Sequence, residues 1–389
     1  MIRIAAVLGV ACAFALEVAS PRGAASSVEP VARDMESGVA TKAPATASPP
    51  DQDRIDAAIA DGLAWLARAQ APCGGWTADV GHKQADSYVV RFDAARARAE
   101  GRAHPGVSGF AGMAFLAAGH VPGRGPYAAT LERAIDYLCS GDPSEAYISD
   151  SESDMYGHAF AVLFLAQVDG MARGRDARVA ARLRSAARMI EHAQNAVGGW
   201  RYYPYADEAD LSVSVCQMQA LRSAKEAGVR VSAETARRMI RYLEDSRIPD
   251  GRRDAGCFYY KITGRAARTR TSFAVNAAAV ASLHSAGVYD AKRYGRALDY
   301  VERHYREVSS EYAEHFYFWY GNWHAVQAFR MEGGARFREY FARVSADLLA
   351  RRRDDGRWVN AVGPGDAWST AIACLILSAP YGYLPLFAN

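Results

Sequence analysis

Apolar residues recur at helical spacing in six segments of this chain, each set against an Arg-rich polar side. Ile55, Ile59, Leu63 and Leu66 follow one another at intervals of 4, 4 and 3. Val179, Leu183, Ala186 and Ile190 are spaced 4, 3 and 4, as are Tyr294, Leu298, Val301 and Tyr305, and again Phe337, Phe341, Val344 and Leu348. Leu131, Ile135 and Leu138, and the pair Met239 and Leu243, are shorter versions. One apolar stripe predicts a helix packed on one side and wet on the other.

Segments of a second kind alternate with these: 110–119, 158–167, 212–227, 273–287, 319–329 and 368–379, rich in Ala, Gly, Leu, Val and aromatics. Helices apolar nearly all round are buried all round. Strict alternation of the two kinds predicts two concentric layers, six inner helices inside six outer ones. A recurring phrase joins them, clearest as Gly74-Gly75-Trp76, Gly198-Gly199-Trp200 and Asp355-Gly356-Arg357-Trp358. Each unit of ~50 residues cannot bury its apolar face alone, so neighbours must stack. An open stack needs polar end units, and the sequence offers none. The expected fold is all-α, an (α/α)6 toroid of six helical hairpins over residues 51–389.

Composition narrows this picture. Of the 389 residues, 50% are hydrophobic and 23% charged, which suits a globular chain. The net charge is +3, and no basic stripe interleaved with aromatics is present, so nucleic acid is not an expected partner. Arg3 precedes an apolar run from Ile4 to Leu16, with small residues at Ala19, Ser20, Ala24 and Ala25. That layout predicts a signal peptide over 1–25, its run too short to span a membrane. Residues 26–50, rich in Ser, Ala, Pro and Thr, read as a disordered linker. A periplasmic or extracellular protein is expected, with membrane tethering left open. Cys73, Cys139, Cys216, Cys257 and Cys374 then remain, with no CxxC pair and no zinc spacing. Cys73 and Cys139 close successive hairpins, which leaves a disulfide between them open. No metal and no cofactor are expected.

The Gly-Gly-Trp phrase after the outer helices resembles the repeat of squalene and oxidosqualene cyclases and of protein prenyltransferase β subunits, the prenyltransferase/squalene-oxidase-repeat proteins. The resemblance covers roughly residues 52–387, including Asp366-Ala367-Trp368-Ser369-Thr370-Ala371 and Pro380-Tyr381-Gly382-Tyr383-Leu384-Pro385. It implies that reactive groups gather where the connecting loops enter the inner helices. Six helix N-termini at one mouth would favour anionic groups there. Tyr202, Tyr203, Tyr205, Tyr259, Tyr260, Tyr317, Trp319, Trp323, Trp358 and Trp368 are candidate wall residues of an aromatic chamber suited to an isoprenoid chain.

Cyclases of this kind protonate their substrate with Asp-x-Asp-Asp. The matching junction here reads Asp207-Glu208-Ala209-Asp210, with Ala209 where the proton donor belongs. Asp207, Glu208 and Asp210 could still supply a pair of carboxylates sharing a proton; Asp210 equally reads as a helix cap. The prenyltransferase zinc set fails at Glu314-His315-Phe316 and at Ser369. His104, His158 and His324 lie near inner-helix starts and are candidates for proton transfer, or else buried histidines bonded to backbone. Arg201, Arg265, Arg268 and Arg270 lie by the same junctions and could hold a diphosphate or carboxylate. Residues 79–103, the longest connection, read as a lid over the mouth.

Three functions stay in competition. The first is a terpene-cyclase-like protein holding a small apolar or isoprenoid ligand, with peripheral membrane contact open. The second is a non-catalytic binding toroid, which degenerate catalytic positions would suit. The third is a polysaccharide lyase or hydrolase outside the cell, which export and the Tyr, His and Arg set would suit. The sequence leaves the oligomeric state undetermined.

Overall fold

A computed structural model describes residues 52–387, except 80, 85–86, 142–144, 150–153, 173 and 265–266. The expected signal peptide and linker lie outside the described residues, and every described residue falls in one compact unit. The outer helices are α1 (Gln52–Ala69), α4 (Ala128–Leu138), α6 (Asp176–His192), α8 (Ala233–Asp245), α10 (Ala291–Glu311) and α12 (Gly334–Arg351). The inner helices are α3 (Pro105–Ala117), α5 (Met155–Val168), α7 (Leu211–Glu226), α9 (Phe273–Ser285), α11 (Phe316–Glu332) and α13 (Asp366–Ser378). Each inner helix packs on two others, in the cyclic order α3, α5, α7, α9, α11, α13 and back to α3. The ring is closed, as the alternation of half-exposed and fully apolar helices requires.

The Gly-Gly-Trp phrase earns its place by geometry. Trp76, Trp200 and Trp358 donate Nε1–H to the carbonyls of Leu66, Ile190 and Leu348, ten residues back, at 2.8, 2.7 and 2.7 Å. Their backbone N–H groups donate to Ser108 Oγ, Ser214 Oγ and Thr370 Oγ1 in the next inner helix, at 2.9, 2.9 and 3.1 Å. Each Trp thus ties an outer helix to the inner helix that follows. Gly74, Gly198 and Gly356 adopt φ of 96°, 92° and 95°. A Cβ there would lie 2.3, 2.4 and 2.6 Å from the carbonyl oxygens of Arg133, Arg238 and Asp61 on the adjacent outer helix. Asp61 belongs to α1, so the last copy of the phrase is what seals the ring.

Two units lacking this Trp make the same tie with other residues. Ile148 N–H donates to His158 Nδ1 and Phe258 N–H to Asn276 Oδ1, both at 3.0 Å. The first inner helix starts at Pro105, earlier than the apolar run suggests, because His104 Nδ1 caps it by accepting from the N–H groups of Gly106 and Val107. The long connection is not plain coil. It holds an antiparallel hairpin, β1 (Gly81–Gln84) and β2 (Ser87–Val90), then α2 (Phe92–Ala99). The five described cysteines, Cys73 and Cys139 among them, are free thiols.

Candidate functional site

All six inner helices contribute residues near their N-termini to one chamber of about 710 Å³. The lower part of the ring is solid. Phe110 packs on Phe160 with ring centroids 4.2 Å apart and meets Trp323 edge-on at 5.3 Å, and Phe387 from the C-terminal turn reaches Trp323 at 6.1 Å. The hollow is therefore a bowl rather than a tunnel.

Its floor is aromatic. Tyr156, Phe160, Tyr202, Tyr260, Phe273 and Tyr320 line it, with Phe316, Tyr317, Tyr312 and Trp368 along one flank. Burial pushes the phenols of Tyr156 and Tyr320 well above their ordinary value, and that of Tyr202 upward, so these groups act as hydroxyl donors rather than phenolates. The rim carries charge. Asp79, Tyr88 and Arg91 come from the hairpin, Asp154 from the start of α5, and Arg270, His304 and Glu307 from the α9–α10 side. Arg91 grips Asp154 with both carboxylate oxygens at 3.1 Å and donates to Tyr203 Oη at 3.0 Å, which straps the hairpin across the mouth. Burial raises the Asp154 carboxyl above the usual range, and Arg91 opposes that rise. Tyr88 is pushed up to about 12, chiefly by burial.

Of the residues singled out by sequence, His104, Tyr202, Tyr203, Tyr260, Arg270, Tyr317 and Trp368 line the chamber. Asp210 stands behind the wall, with no exposure. It accepts from Ser212 Oγ at 2.6 Å, from Val213 N–H at 2.8 Å and from Arg201, so every contact it makes is as an acceptor. Glu208 pairs instead with Lys261, and Asp207 lies exposed. The three acids are not brought together. Tyr205 is 70% exposed outside the chamber. Trp319, Trp323 and His324 lie in the core, and His158 is held between Ile148 N–H and the Ala186 carbonyl, at 3.0 and 3.1 Å.

Sequence reasoning missed Tyr156, Ser212, Phe316 and Tyr320. On α11 it selected Tyr317, which lines the chamber, but also Trp319, Trp323 and His324, which do not, since an all-round apolar helix carries no signal of which face meets a cavity. Tyr156 and Ser212 were legible only by register, since each sits within two residues of an inner-helix start. Asp79, Arg91 and Asp154 come from loop and hairpin positions that no periodicity marks. Among the described residues no group of three His, Cys, Asp or Glu could hold a metal ion.

The closed ring of alternating helices decides the architecture. This chain is an α/α toroid. Solved structures of the same fold include an α-1,6-mannanase from Salegentibacter sp. HEL1_6, at TM-score 0.56 and 8% identity over 85% of this chain and 99% of that one. The type II terpene cyclase MstE from Scytonema, in complex with geranylgeranyl dihydroxybenzoate, matches at TM-score 0.52 and 14% identity over 87% and 99%. An unsaturated glucuronyl hydrolase specific for heparin matches at TM-score 0.50 and 11% identity over 85% and 98%. No family profile and no curated protein matches the sequence. At these identities the toroid is shared, and its members act on isoprenoid and saccharide ligands alike.

Proposed function

We propose that this toroid, acting outside the cytoplasm, holds an amphipathic small molecule in its bowl, with an apolar isoprenoid-type portion on the aromatic floor and a polar end at the charged rim. The observation that carries the reading is how the floor hydroxyls are spent. Tyr156 and Tyr320 both donate into the wall, to Ser212, so they present ring surface rather than hydroxyls to the ligand. Ring faces of that kind shelter hydrocarbon. The chamber volume falls within the range of about 300–1,000 Å³ common for small-molecule sites. Arg270 lines the rim with no side-chain partner among the described residues, and suits a carboxylate or phosphate at the ligand's polar end.

Acid-initiated cyclisation through Asp210 does not follow from this arrangement, because the carboxylate only accepts hydrogen bonds and is screened by Ser212. Binding, or chemistry at the polar end, is the better reading. Three chamber carboxylates, Asp79, Asp154 and Glu307, favour a second reading as a saccharide-processing enzyme, since two acids in one cleft can cleave a glycosidic bond.

Titration of the purified protein with a prenyl alcohol and, separately, with a neutral mannooligosaccharide, followed by tryptophan fluorescence, tests the two. Saturable quenching by the prenyl alcohol, lost in Trp368→Leu, is expected. Saturation by the oligosaccharide alone would replace the first reading with the second.

A further inference from the structure

Four phenols meet on the chamber floor, and their four protons can be followed one by one. Tyr156, Tyr202, Tyr260 and Tyr320 all line the bowl, the Tyr156 ring lying 6.0 Å from that of Tyr202 and 6.2 Å from that of Tyr320. Tyr156 donates to Ser212 Oγ and Tyr320 to the Ser212 carbonyl, each at 2.7 Å. Tyr202 and Tyr260 stand with their hydroxyl oxygens 3.1 Å apart and share one hydrogen bond, whichever of them donates. One proton of that pair therefore has no acceptor among the described residues, although both side chains line the chamber.

Their surroundings fix this donor and keep it protonated. The Tyr202 carbonyl accepts from Met155 N–H and the Tyr260 carbonyl from Leu211 N–H, both at 2.8 Å, so the two loops are pinned to the first residues of α5 and α7. Tyr260 N–H donates in turn to the Arg270 carbonyl at 2.8 Å. The Arg201 guanidinium, paired with Asp210, lies 4.2 Å from the Tyr202 ring centroid, and burial pushes both phenols up, so each keeps its proton. A donor held in place before the ligand arrives loses little on binding an acceptor. It also penalises a ligand that covers it without accepting its proton.

From this accounting we infer that the Tyr202–Tyr260 pair is a donor subsite for an oxygen on the buried, otherwise apolar portion of the ligand, of carbonyl or ether type. The inference rests on the proposed binding of an apolar chain and specifies it: the buried end carries oxygen and is not plain hydrocarbon.

The test compares geranylacetone, a prenyl-chain ketone, with a hydrocarbon of matching length, and reads the infrared carbonyl band of the isotopically labelled bound ketone. The band should fall to lower frequency, and the ketone should bind about tenfold more tightly, the worth of one net hydrogen bond. Tyr202→Phe and Tyr260→Phe each still leave one free proton, so each single variant should keep the shift. The double variant should lose both the shift and the preference, with its helical circular dichroism unchanged as the check on folding. Binding of both compounds with an unshifted band, or a preference that survives in the double variant, overturns the donor subsite alone. Failure of both compounds to bind overturns the apolar-ligand reading, and the subsite with it.

Discussion

His158 and His324 are equally buried and hold opposite relations to their surroundings. His158 joins a backbone donor on one side to a backbone acceptor on the other. Neither ring nitrogen of His324 has a partner among the described residues. His158→Leu strands both backbone groups and should cost about 2–4 kcal/mol in urea unfolding. His324→Leu removes two unpaired polar atoms and should be neutral or stabilising by the same measurement. Burial lowers His158 to about 4 and His324 to about 3. Because these folded values lie below the unfolded value, the unfolded chain takes up protons first. The stability conferred by the neutral rings is complete above about pH 6.5 and is lost as pH falls toward 4 and 3. Each ring should account for a loss on the order of 2 kcal/mol by pH 5. Unfolding midpoints measured from pH 7.5 to 5 should fall, and less steeply in His324→Leu; identical slopes would exclude that ring as a source.

At the scale of the element, the Gly-Gly-Trp joint sets how an outer helix hands over to an inner one. Gly198→Ala puts a Cβ 2.4 Å from the Arg238 carbonyl oxygen at φ 92°. It should destabilise by about 3 kcal/mol or more, far above the usual cost of Gly-to-Ala in a loop, as thermal melts would record. Gly125→Ala also has positive φ, at 89°, but nothing within 4 Å, so it isolates the conformational part of the cost and should lose less. Trp200→Phe keeps most of the ring but deletes the bond to Ile190, and should cost roughly 1–3 kcal/mol. These joints were legible beforehand because Gly and Trp are unambiguous letters at a fixed spacing. The tie made by His158 was not. A histidine standing where other units place Ser or Thr reads as chemistry until its two partners, 10 and 28 residues away, are located.

For the whole molecule, closure is the property that matters. α1 packs on α13 and α12, and Gln52 Nε2 donates to Tyr381 Oη at 3.1 Å, so the first helix meets the last inner helix and the turn that follows it. Removing residues 366–389 would uncover the apolar faces of α1, α3 and α11 together, and should abolish cooperative unfolding rather than lower its midpoint. A sharp transition in the truncated protein would show that five units suffice. The sequence by itself determined the helices, their alternation and the two-layer ring, because each depends on local periodicity and on the need to bury an apolar face. Only the tertiary structure decided that the ring centre is half filled, that Asp210 turns away from the bowl, and that Tyr156, Tyr202, Tyr260 and Tyr320 meet. Those outcomes depend on which way a uniformly apolar helix is rotated and on where loops from distant units touch, and neither leaves a period in the chain.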